Sequence, residues 1–216
     1  MTRRRLAFAL LLALPATAAA QLGRQQGLVE PNITPDSVLA GLPYMTPAVI
    51  KAIKGAKPIL SIVTLDSLLG AQGVTKPQRD SLYTMLWIHV DLNRGSDAEF
   101  LLIPRAGTRM LREFKEYRPW TSFEQFRREI GKYFRANPAE VTRLEQYLFI
   151  PIDLNTASDS LMATFAPIEV GTRRWIREFK EYRPWTSAEQ FRREIGKYVR
   201  ATPKEVDRLW RYMVIR

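Results

Sequence analysis

The chain has 216 residues, with 33 Lys and Arg against 22 Asp and Glu, a net charge of +11, no cysteine and one histidine, His89. A chain of this length without thiols must hold together by burial alone, which excludes a disulfide scaffold and thiolate metal ligands. A lone histidine excludes a His-rich metal cluster and any scheme needing two imidazoles, and the carboxylates lie scattered among arginines with no acid/base pair. No catalysis, metal or cofactor is expected. A basic surplus suits a polyanion such as nucleic acid or an anionic membrane surface, and a solvated charged surface accounts for it equally well.

Residues 1–20 read as a secretory signal: Arg3 to Arg5, an apolar run from Leu6 to Leu14, then the small residues Ala18 and Ala20, with the cut expected after Ala20. The apolar run is shorter than the roughly 20 residues that span a bilayer, so no stable membrane insertion is expected after cleavage, and the mature chain is placed in the periplasm or outside the cell. Without the three leader arginines, 30 basic residues face 22 acidic ones, a charge of +8. A short segment, 21–28, leads into the rest.

The strings VEPN at Val29, VDLN at Val90 and IDLN at Ile152 recur with a period of about 62 and divide the chain into repeats 29–88, 89–150 and 151–216. Repeats two and three agree at 22 of 24 positions between Arg112–Arg135 and Arg177–Arg200, now at an offset of 65, so three residues are inserted between Asn155 and Arg177. No Gly/Ser-rich or Pro-rich linker separates the repeats, and modules in direct contact are expected.

Helix starts are marked in chain order by Thr34-Pro35, the capping box Ser96 to Glu99, Ser122 with Gln125, Asn137-Pro138-Ala139-Glu140, Ser187 with Gln190, and Thr202-Pro203-Lys204-Glu205. No segment alternates long enough for a convincing strand, so the class is all-α with about four short helices per repeat. On the helix around residue 110, Met110, Phe114 and Tyr117 share one face with Leu111 at its edge, while Arg105, Arg109 and Arg112 lie opposite. Repeat three sets Trp175, Phe179 and Tyr182 against Arg174 and Arg177. Glu113 and Glu116, like Glu178 and Glu181, are expected to neutralise these arginines as exposed i,i+4 pairs. Trp120 and Trp185 are read as core plugs.

The string DLNRGSDAEFLLIPRAGTRMLREFKEYR resembles the tandem helix-hairpin-helix domain of ComEA-like, competence-type DNA receptors, with Asn93, Ser96, Pro104, Gly107, Phe114, Tyr117 and Arg118 on that family's spacing. WTSFEQFRREIG resembles the continuation into its second hairpin. The resemblance implies three helix-hairpin-helix modules and non-sequence-specific DNA binding outside the cytoplasm during DNA uptake. Hairpin glycines there let backbone N–H groups approach a phosphate at a helix N-terminus, where the dipole favours an anion. This chain departs from the pattern at the first hairpin glycine, which is Tyr44, Arg105 and either Pro167 or Glu169. The second is Thr46, Gly107 and Gly171. Gly73, Gly131 and Gly196 are assigned to the second hairpin.

The candidate DNA contacts are Arg105, Gly107, Thr108 and Arg109 in repeat two and Gly171, Thr172, Arg173 and Arg174 in repeat three. Lys51 and Lys54, with Lys57, form a stripe in repeat one expected to lack neighbouring acids. Gly131 and Lys132, with Gly196 and Lys197, flank the second hairpins beside Arg127, Arg128 and Arg135 and their copies Arg192, Arg193 and Arg200. The expected partner is the DNA phosphate backbone of a duplex. The competing reading is a non-catalytic structural or protein-interaction array in the cell envelope, with an envelope protein as partner.

Overall fold

The computed structural model describes residues 27–134, 137–163, 172–198 and 202–216. The expected leader, the cut after Ala20 and residues 21–26 lie outside them. Twelve helices are described, in three runs of four: α1 (Asp36–Leu39), α2 (Pro47–Ala56), α3 (Ile62–Ala71) and α4 (Lys76–Leu82); α5 (Asp97–Leu101), α6 (Gly107–Glu116), α7 (Phe123–Gly131) and α8 (Pro138–Glu145); α9 (Asp159–Ala163), α10 (Thr172–Glu181), α11 (Ala188–Tyr198) and α12 (Pro203–Trp210).

The molecule is predominantly helical, as expected, yet strands are present. β1 (Val90–Asp91) pairs in parallel with β2 (Leu148–Phe149), β3 (Ile152–Asp153) pairs in parallel with β4 (Met213–Val214), and Val29 bridges Leu86. Two residues are too few to show a period of two, so alternation could not reveal these strands. Each of the three recurring strings opens a unit, and its strand or bridge pairs with the chain leaving that unit's last helix.

Local chemistry sets most helix starts. Ser96 and Glu99 form the expected capping box, Ser122 accepts from the Gln125 amide, Ser187 from the Gln190 amide and Thr202 from the Glu205 amide. Two starts differ. Asn137 caps nothing with its side chain, and α1 begins after Pro35 with no side-chain cap from Thr34. The offset between repeats two and three is 62 at the starts of α5 and α9 and 65 at those of α6 and α10, which puts the insertion between Ala163 and Thr172.

The asparagine ending each string holds its unit shut. Asn93 donates from Nδ2 to the Trp120 carbonyl (2.9 Å) and accepts from the Trp120 amide (2.6 Å). Asn155 does the same to Trp185 (3.0 and 2.7 Å), and Asn32 to Ile59 (2.9 and 2.7 Å). The clamped residue in each case follows a cis X-Pro bond. Arg118 donates to the Leu92 and Gly95 carbonyls, Arg183 to those of Leu154 and Ala157. The indole N–H groups of Trp120 and Trp185 donate to the carbonyls of Phe114 and Phe179, so both tryptophans are buried plugs.

One core runs through the first two units, and Trp87 carries it across the boundary: its Nε1 donates to the Tyr147 carbonyl (2.9 Å), and its ring meets Tyr83 and Tyr147 edge-on. The third unit has its own core. It joins the others through Phe149 against Tyr212 at 4.6 Å and through Arg211, which donates to the His89 carbonyl and lies over both of those rings. Arg94 of the second unit donates in turn to the Arg211 carbonyl.

Asn93→Ala leaves the Trp120 amide and carbonyl without partners, each worth about 1–3 kcal/mol, so stability in urea is expected to fall by about 2–6 kcal/mol. A loss below 0.5 kcal/mol on a curve of unchanged slope would remove the clamp from this role.

The junction also makes stability depend on pH. Burial, then the Arg211 charge, pushes His89 down to about 4, so between pH 6.5 and about 4 the unfolded chain binds a proton that the folded chain does not. Stability from this group is full above pH 6.5 and is lost as pH falls towards 4, on the order of 2–3 kcal/mol. Glu30, raised mainly by burial against the pull of Arg208, acts in the opposite sense, gaining stability as it takes up its proton. Comparing wild type with His89→Leu at pH 7 and 4.5 isolates the histidine: the variant is expected to lose less stability over that interval.

Candidate nucleic-acid interface

The α5–α6 turn is built from Ile103, Pro104, Arg105 and Ala106. Arg105 has φ 61°, the left-handed region that favours glycine, and Tyr44 has φ 63° at the equivalent place in the first unit. Both hairpins therefore keep a glycine-type backbone with a side chain on it, at a typical penalty of about 1–2 kcal/mol. Gly107, at φ 65°, then opens α6.

The N-terminus of α6 has no side-chain cap, and the amides of Arg105, Gly107 and Thr108 donate to no acceptor among the described residues. The first unit differs at this point. Thr46 occupies the position of Gly107, and its hydroxyl accepts from the Val49 amide, closing the start of α2.

Around the open turn, Arg105 is 72% exposed and reaches only Glu140, at 3.4 Å. Arg109 lies over the Tyr133 ring, 5.3 Å from its centroid. The expected Arg109–Glu113 and Arg112–Glu116 pairs do not form. Glu113 is only 1% exposed and turned into the protein. Its carboxylate lies near the Tyr133 hydroxyl and, chiefly as a hydrogen-bond acceptor, pushes that group up to about 12. Lys115 pairs instead with Asp97, and in the copy Lys180 pairs with Asp159 and Arg177 with Glu178, itself buried. The outer face of α6 is thus more positive than an i,i+4 reading allows, because 100° spacing places a residue on a helix face but not against the next helix.

In the third unit Arg173 and Arg174 are exposed in the first turn of α10. Thr172 begins that helix, and Gly171, Pro167 and Glu169 lie outside the described residues. Lys51 is exposed. Lys54 and Lys57 are not free of acids: both reach Asp36, at 3.2 and 3.7 Å, because α1 packs beside α2.

The second-hairpin group is largely occupied. Gly131 and Gly196 lie within α7 and α11 without positive φ, and the helix register sets Gly70 opposite them, whereas Gly73 (φ 82°) follows α3. Lys132 and Arg128 pair with Glu129, Lys197 and Arg193 with Glu194, Arg192 with Asp207. Arg127 grips the buried Glu145 through two bonds of 2.7 and 2.6 Å. Arg135 and Arg200 lie outside the described residues. The residues brought together in one open place are Arg105, Gly107, Thr108 and Arg109, with Arg112 one turn along α6. Sequence reasoning missed Glu140 and Arg143 of α8, which reach this turn from 35 and 39 residues away.

No family model, curated protein or solved structure matches the chain.

Proposed function

We propose that this is an exported protein, periplasmic or secreted, that binds nucleic acid through the phosphate backbone without reading sequence, with the α5–α6 turn as its principal contact and the start of α10 as the second. One observation carries this reading: α6 is a ten-residue helix with an uncapped N-terminus, three amides at the turn that donate to no acceptor among the described residues, and Arg105 exposed beside them. Such an end offers donors and the positive pole of the dipole to an anion. The helix-hairpin-helix resemblance and the mature charge of +8 agree with it. The first unit is excluded from the contact, since Thr46 closes its helix and Asp36 engages Lys54 and Lys57. DNA duplex is the ligand of choice, and uptake of DNA across the envelope is a process this chemistry would serve.

Titration of a fluorescently labelled duplex at several salt concentrations tests it. The logarithm of affinity is expected to fall linearly with that of salt, by about 0.9 per phosphate neutralised, and Arg105→Ala, Arg109→Ala, Arg173→Ala and Arg174→Ala should each weaken binding and remove about 0.9 from the slope. Absence of binding at low salt would leave the envelope interaction array as the reading. Binding indifferent to all four substitutions would keep the function and move the site.

A further inference from the structure

Pro104 and Arg105 share one peptide plane, in which the Pro104 carbonyl and the Arg105 amide point in opposite directions. Arg143 on α8 donates from Nη1 to the Pro104 carbonyl at 2.6 Å. It therefore draws the carbonyl towards α8 and turns the Arg105 amide away from it, outward. The rest of its guanidinium is committed as well: Nε and Nη2 hold both oxygens of Glu140 at 2.8 and 2.6 Å, and the group lies 5.9 Å from the centre of the Tyr147 ring.

The same arginine also occupies Glu140, the carboxylate that reaches Arg105 at the turn. Hydrogen bonding from Arg143 keeps Glu140 below the usual carboxylate range, so it is an anion 3.4 Å from Arg105. Left unpaired, that charge would hold Arg105 and repel an incoming phosphate. Engaged in two short bonds, it leaves Arg105 72% exposed. The first unit has no such strut among its described contacts: Ser81 stands in the register of Arg143, and Arg79 of α4 is engaged by Asp66 and the Val74 carbonyl.

We infer that Arg143 is a positioning residue for anion binding at the α5–α6 turn: it aims the Arg105 amide outward by fixing the Pro104 carbonyl and screens the turn from Glu140, without touching the ligand. This rests on the phosphate-binding reading of the same turn.

The test compares Glu140→Gln with Glu140→Gln/Arg143→Met, so that no carboxylate is left to capture Arg105 and only the contact to Pro104 differs. The probe is the same labelled duplex. Glu140→Gln is expected to bind at least as tightly as wild type, and the double variant about tenfold more weakly, as for one lost charged hydrogen bond. The salt slope of the double variant is expected to equal that of Glu140→Gln, whereas a phosphate-contacting arginine would take about 0.9 from it. Equal affinities would overturn the inference, and a lowered slope would make Arg143 a contact and equally overturn it as stated.

Amide exchange and chemical shifts at residues 103–108 provide a readout that needs no ligand. Changes confined to this turn are expected in the double variant, with α7 and α8 protected as before. Unchanged signals at Arg105 and Gly107 would refute the strut even if wild type bound no duplex, and a change there without any duplex binding would retain the strut and refute the function. Global loss of protection would show Arg143 to be a fold determinant and would also count against a positioning role.

Discussion

Each unit depends on a two-way hydrogen bond between one asparagine amide and the main chain of one residue about 27 to 30 positions later. The side-chain amide of Asn93 offers an acceptor and a donor side by side, and Trp120 presents its own N–H and C=O to match. An aspartate would lack the donor and a serine the span. The bond ties the strand that opens the unit to the loop between its second and third helices, and so sets where the tryptophan behind it is delivered. Trp120 then packs against Phe126 and Tyr117 and donates to the Phe114 carbonyl. The acid two residues before each asparagine, Glu30, Asp91 or Asp153, accepts from the asparagine's own amide and holds it ready. The recurring strings are thus fastenings, and Ile59, Trp120 and Trp185 are what they fasten.

How the units meet follows from what the strands leave over. The chain that closes one unit opens the next within a few residues, Leu86 to Val90 and Leu148 to Ile152, so neighbours are joined by backbone that is itself paired. Between the first two units this join is apolar and continuous, with Trp87 at its centre. At the third unit it is mixed: Arg211 spans rings and carbonyls, His89 is buried beside it, and Glu30 of the first unit feels both Arg208 and Arg211. Charges taken out of water there bring less net stability than the same area of hydrocarbon.

Local order was legible wherever a residue's role is set by near neighbours. The capping box at Ser96, the caps at Ser122 and Ser187, the aromatic face of Phe114 and the repeat itself all rest on spacings of a few residues or on identity between copies. What could not be read depends on a third body. Glu113 has the spacing of a surface partner for Arg109 and is instead buried, with its carboxylate acting on the Tyr133 hydroxyl of the next helix's end. Lys54 and Lys57 show no acid nearby in sequence, yet Asp36 reaches them across a turn. At the candidate site Arg105, Gly107, Thr108 and Arg109 stand together because they are consecutive. Arg143 and Glu140 belong to the same cluster only through the packing of α8, and the recurring Glu140 and Glu205, each three residues before an arginine, were the faint signal of it.

The first two hairpins show one group put to different use. A side-chain cap at a helix start is worth about 1 kcal/mol, because it satisfies an amide that the helix cannot. Thr46 makes that contribution to α2 and leaves its first turn with less to offer an anion. Gly107 has no side chain with which to do so, and the amides of α6 stay open at the same backbone position. The penalty of a non-glycine residue at φ 61° is borne there too, and it sets an arginine, not a hydrogen atom, at the tip of the turn. Stability alone would favour a glycine at 105, and at 107 the φ of 65° itself calls for one, so the hydroxyl that closes α2 has no counterpart at α6. The second unit has an arginine at 105 instead, at a cost in backbone strain, and leaves the first turn of α6 uncapped. The third begins α10 at Thr172, in register with Gly107, after the three added residues. The two near-identical copies thus diverge just ahead of the helix whose N-terminus carries the positive pole.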